Sequence, residues 1–160
     1  MSWWRSERGS ATVISIALLP LLLTVVAMVL ELGALRVWAS RARSAADLAA
    51  LVAVNDQDDA ELARTGRLRL DAGAADVARA YFASNLAGLG AVLAADPDAV
   101  AGAAEITVLR DLESAVAAGQ RYARPTVRIV AQVPVRTPLL GALLARPITS
   151  IAVRVASAAR

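Results

Sequence analysis

Two of the side chains that carry most of the chemistry in proteins are missing from this sequence. It contains no His and no Cys, which removes the commonest metal ligands, the thiolate nucleophile, the imidazole general base and any disulfide framework. What remains is carboxylate chemistry. The densest acid cluster is Asn55-Asp56-Gln57-Asp58-Asp59-Ala60-Glu61, whose alternating oxygen donors superficially resemble a calcium loop. Such a loop needs a third oxygen ligand where Ala60 stands, then a Gly, then a distant Glu, and none is in place. A solvated turn that caps the following helix is the simpler assignment. An exported hydrolase would need a general acid and base pair from residues such as Asp56, Asp58 and Glu105, but the acids fall mainly in turns and no spacing marks a pair. We expect no enzyme: no catalytic residue, no metal, no cofactor and no small-molecule substrate.

All 17 basic residues are Arg, none is Lys, and against 14 acids the net charge is +3. Ala, Leu and Val fill most other positions, the pattern of GC-rich coding, so Arg here stands where Lys often would on solvated faces. The Arg residues are scattered rather than clustered with aromatics, which argues against a nucleic-acid groove. A hydrophobic content of 58% is too high for a small soluble domain and places part of the chain in lipid.

The lipid segment is Ala11 to Leu30, an uncharged run of twenty residues that as a helix is about 30 Å long, the thickness of a bilayer's hydrocarbon core. Trp3 and Trp4 before it and Trp38 after it fit the two headgroup layers. Pro20, near the middle, removes the helical partner of the Ile16 carbonyl and predicts a kink. A second reading makes residues 1–39 a cleaved signal peptide ending at Val37-Trp38-Ala39. The apolar run is longer than a usual signal core, and Glu31 and Arg36 interrupt the approach to that site. Orientation is not set by charge: Arg5, Arg8 and the amino terminus stand before the span, Arg36, Arg41 and Arg43 after it.

From Leu32 to Val54 the sequence has no Pro and a strong Ala bias, so the helix continues out of the bilayer as a stalk. Alanines 42, 45, 46, 49, 50 and 53 recur at helical spacing and make a thin face that another helix, of the same chain or of a partner, can approach closely. Asp47 lies opposite much of that face, one turn after Arg43, in position for an exposed ion pair. Asp71 or Asp76 opens a second helix at about Ala72 to Leu93, with Val77, Ala80 and Tyr81 near one stripe and Tyr81 and Phe82 as core anchors. Asp96-Pro97 reads as an N-cap followed by a helix-starting Pro.

Three strands follow: Glu105 to Leu112, Thr126 to Val135 and Ile148 to Ala156. Their period-two alternation, with Val127, Ile129, Ala131, Val133 and Val135 on one side and Arg128 and Gln132 on the other, predicts a sheet covered on one face by the stalk and second helix. Pro134 belongs at an edge or strand end, since it cannot donate to a central ladder. The apolar connection Pro138 to Ala145 predicts a short helix that either seals the core or docks on a partner or membrane surface.

The N-terminal third reads Glu7-Arg8-Gly9-Ser10-Ala11-Thr12-Val13, then the span with Pro20, then Glu31-Leu32-Gly33, then Arg41-Ala42-Arg43-Ser44-Ala45-Ala46-Asp47-Leu48-Ala49-Ala50-Leu51. This order resembles the N-terminal region of the TadE/TadG-like proteins of the Flp (tight adherence) pilus-assembly system. On that resemblance Pro20, Glu31, Gly33, Ala46, Asp47 and Ala50 are motif and packing residues, and Gly9 and Ser10 flank a candidate prepilin-peptidase site. Prepilin-like members carry an acid a few residues after the Gly, whereas here Ile14 stands in that place, so the resemblance implies an uncleaved anchor, as in the TadG-like group.

Together these readings predict a pilin-like α+β architecture. It comprises a cytoplasmic tail at 1–10, a transmembrane helix at 11–31, a helical stalk at 32–54 and a small exported domain at 55–160 with a second helix and an antiparallel sheet of about three strands. The function implied is a single-pass, membrane-anchored structural or minor-pilin-like component of a Tad/Flp-type pilus-assembly or secretion apparatus. Membrane lipid and other assembly proteins, met through the span and stalk, are its expected partners. The alternative is an anchored extracytoplasmic binding or sensory module unrelated to pili.

Overall fold

The structure is a computed structural model and describes residues 6–111 and 124–159. Helix α1, Ser6–Val54, is a single unbroken element. Its first part carries the apolar run, and residues 15–26 are all exposed. Pro20 lies inside it without ending it; Thr24 Oγ1 donates to the Pro20 carbonyl at 2.8 Å, which keeps that hydroxyl satisfied within the apolar stretch. From residue 42 onward one face of the same helix becomes core, with Ala42, Ala46, Ala49, Ala50 and Ala53 fully buried and Ala45 nearly so.

That alanine face packs on α3 (Ala74–Ala87) and on two strands of a sheet. The sheet is an antiparallel meander of β1 (Glu105–Leu109), β2 (Thr126–Arg136) and β3 (Ile148–Ala158), with β2 in the middle. Val127, Ile129, Ala131, Val133 and Val135 of β2 are buried, while Arg128, Gln132 and Arg136 are exposed, the expected one-sided sheet. The first of the predicted strands stops at Leu109, because Arg110 turns aside: its carbonyl accepts from the Leu70 N–H and its Nε donates to the Leu70 carbonyl. Leu112 lies outside the described residues. β3 runs two residues further than expected, to Ala158.

Pro134 sits where β2 has outrun β1. Its carbonyl accepts from the Ala94 N–H, and β3 pairs with its other side through Ser150. The absent N–H faces the side beyond the end of β1, where an isolated bridge between Leu93 and Val135 stands in place of a ladder, two residues from the end of β2, in keeping with the edge or strand-end expectation.

Shorter elements close the ends. Asp58 caps α2 (Asp59–Thr65) by accepting from the Glu61 N–H. Asp96 caps α4 (Pro97–Gly102) by accepting from Asp98 and Ala99, with Pro97 in the first turn, as its sequence predicts. α5 is Pro138–Leu144. In α3 the buried stripe is Ala74, Ala78, Phe82, Ala83 and Leu86. The expected stripe through Val77, Ala80 and Tyr81 is therefore one position out of phase. Phe82 is fully buried, whereas Tyr81 is 48% exposed and anchors nothing in the core. The helix also ends at Ala87, with a short 3₁₀ turn at Gly90–Val92 in place of the longer continuation to Leu93.

Candidate functional site at the junction of apolar helix and domain

The exposed apolar part of α1 and its buried part meet at Glu31, which is only 6% exposed at the edge of the domain. A buried carboxylate needs donors, and Glu31 finds them 108 and 109 residues away: Oε1 accepts from the Leu139 N–H at 3.1 Å, and Oε2 accepts from the Leu140 N–H. These are the second and third residues of α5, whose amides an N-cap side chain would ordinarily satisfy. Thr137 holds the cap position but makes no capping bond, its hydroxyl meeting Thr149 Oγ1 at 3.2 Å instead. The first residue, Pro138, has no N–H, and Gly141 N–H closes the first turn on the Thr137 carbonyl. Glu31 thus completes the donor accounting of the α5 N-terminus, with its negative charge at the favourable end of the helix.

The loop around α5 is tight. Thr137 N–H donates to the Pro147 carbonyl, and Arg146 N–H to the Gly141 carbonyl. A Cβ on Gly141 would come 2.5 Å from Pro147 Cα, so only glycine fits. Ala145 takes up the left-handed conformation that ends the helix, with φ of 52°. On its α1 side the loop leaves a cleft of about 510 Å³ walled by Leu23, Thr24, Ala27 and Met28 of α1 and by Leu139 and Ala142 of α5.

The other motif residues take different parts. Ala46 and Ala50 are buried in the seam with α3 and the sheet, and Asn85 Nδ2 donates to the Ala45 carbonyl at 3.4 Å across it. Asp47 is exposed on the opposite side. It makes no ion pair with Arg43, contrary to expectation; an exposed pair of this kind is worth only about 0–1 kcal/mol, so nothing compels the contact. Gly33 is exposed, and a Cβ there would meet nothing within 4 Å, so close packing within the chain does not require glycine. Gly9 and Ser10 lie within the first turns of α1.

The acid cluster is dispersed into structural tasks. Asp58 caps α2, the Asp56 carbonyl accepts from the Asp71 N–H, and Glu61 pairs with Arg64 at 2.7 Å. The hydrogen bond from Arg64 holds the Glu61 carboxyl below its ordinary range and raises the guanidinium in return. Glu105 opens β1, whereas the segment carrying Asp56 and Asp58 bridges to Leu70, which bonds to Arg110 beyond the other end of that strand. Glu105 and the Leu70–Arg110 contact thus stand at opposite ends of a strand about 17 Å long.

The matched region of the chain coincides with this geometry. Residues 9–56 match the family described as putative Flp pilus-assembly TadE/G-like. The matched stretch is under a third of the chain and is nearly coextensive with α1. No curated protein and no solved structure matches the chain. The matched segment therefore takes in the exposed apolar run of α1, the junction at Glu31 and the alanine seam, and the sheet domain lies beyond it.

The Glu31 pairing is the feature that sequence reasoning did not supply. Glu31 was visible as a motif acid, but its partners are backbone amides on a distant loop. A Pro-initiated helix needs an acceptor for its second and third amides, but nothing in the sequence tells that Thr137 does not supply it.

Proposed function

We propose that this chain is a single-pass, membrane-anchored structural component, minor-pilin-like, of a Tad/Flp-type pilus-assembly or secretion apparatus, with its sheet domain outside the cytoplasm and no catalytic role. The observation that carries the reading is that the TadE/G-like match falls on a continuous helix whose apolar residues 15–26 are all exposed. In water that surface would be an aggregation site; in a bilayer it is the span. The helix is long and apolar enough to cross. Its second half is locked into the domain through the alanine seam, so force or position at the membrane passes to the domain through one rigid element. The dispersed acids support a structural role over a hydrolytic one. In a strain that builds such filaments, deletion of the gene is expected to abolish surface filaments or adherence, with restoration by the full chain but not by residues 55–160 alone. Filaments and adherence unchanged after deletion would refute the assignment.

A further inference from the structure

The cleft between α1 and α5 lies on the wrong side of Glu31 for an ordinary surface groove. Its α1 wall is Leu23 to Met28, which at 1.5 Å per residue stands about 4 to 12 Å below Glu31 along the helix, inside the apolar run. Helical side chains lean toward the N-terminus, so the Glu31 carboxylate reaches back toward that wall and fixes the α5 amides there. The segment 138–145 carries no charge or polar side chain, and Arg136 and Arg146, both exposed, stand on either side of it. Leu139 is 49% exposed and Ala142 is exposed as well, although they face a wall of Leu, Ala and Met.

We propose that α5 is submerged in the leaflet on the domain's side of the bilayer, beside the span, and that a phospholipid acyl chain fills the cleft between Leu139, Ala142 and the α1 wall. This rests on the anchored reading of α1. The surface of α5 is continuous with the lipid-facing surface of the span, and the two arginines flank it at the level where headgroup phosphates lie. Glu31 then sits at the interface with both oxygens satisfied, the condition under which a carboxylate is tolerated there. The domain is consequently held by two contacts with the membrane, the span and α5, and lies flush on it instead of swinging on a stalk.

The absence of Cys makes the test direct. Single variants Leu139→Cys, Ala142→Cys, Val25→Cys and Ser84→Cys of the full chain carry an environment-sensitive fluorophore in vesicles of phosphatidylcholine and phosphatidylglycerol. They are challenged with aqueous iodide and with acyl-chain nitroxide lipid. Labels at 139 and 142 are expected to behave as the label at 25 does, quenched by nitroxide and several-fold less by iodide than the label at 84. Iodide quenching at 139 and 142 equal to that at 84, with 25 still lipid-quenched, overturns the insertion of α5 and leaves the anchor standing. Shielding of 139 and 142 from both quenchers puts protein in the cleft and also overturns it. Iodide access at 25 removes the anchor and this inference together.

Discussion

Glu31 is the residue on which the junction turns. Removing its carboxylate leaves two amides of α5 without partners in a site that water enters poorly, at a cost of about 1–3 kcal/mol. Glu31→Ala is therefore expected to speed amide exchange at Leu139 and Leu140 by roughly tenfold or more, on the scale of 1.4 kcal/mol per decade. Glu31→Gln keeps one acceptor oxygen and is expected to fall between. Exchange at these amides unchanged in Glu31→Ala, measured by mass spectrometry on the full chain in nanodiscs, would show that the pairing does not hold α5. At this scale the sequence was legible where a residue and its partner are near neighbours, as with Asp96 and the α4 amides. It was illegible where the partner is 108 residues away and is backbone, because no side-chain pattern advertises an amide.

Elements were legible in proportion to the contrast between their faces. β2 sets mostly β-branched residues against Arg and Gln, and its buried set was readable from Val127 to Val135, with Thr126 the buried residue that the alternation missed. α3 offers no such contrast: Ala74, Ala78 and Ala83 are buried while Ala80 and Ala87 are exposed, so alanine leaves the phase of the helix open and Tyr81 was placed inward by one position. Only Phe82 and Leu86 fix the face. In α1 the same residue type is informative because its period is unbroken from 42 to 53. The small side chains there let α3 and the sheet approach closely, so the seam should reject bulk. Ala46→Leu is expected to destabilise the domain by about 1–3 kcal/mol through overpacking, whereas the same change at exposed Arg43 should be near neutral. Chemical denaturation of the full chain in detergent separates the two, and equal stability of the pair would mean the seam is looser than the burial of Ala46 implies.

For the whole molecule, one helix carries two surfaces, an exposed apolar one and a buried alanine one. The apolar half of α1 and the alanine half share an axis, and Glu31, with its tie to α5, marks the change from one to the other. Length and composition made the α+β fold and the long apolar N-terminal helix legible. Charge did not make orientation legible, because arginines flank the span almost equally on both sides, leaving no bias for the positive-inside rule to read. The side on which the domain lies is thus the claim on which the functional account depends. The most direct measurement places a single Cys at Ser6 or at exposed Ser84 and treats intact cells, in a host whose outer envelope admits it, with a membrane-impermeant thiol reagent. Labelling of Ser84→Cys alone, in full-length chain from the membrane fraction, is the expected result; labelling of Ser6→Cys alone would place the domain in the cytoplasm and contradict the account.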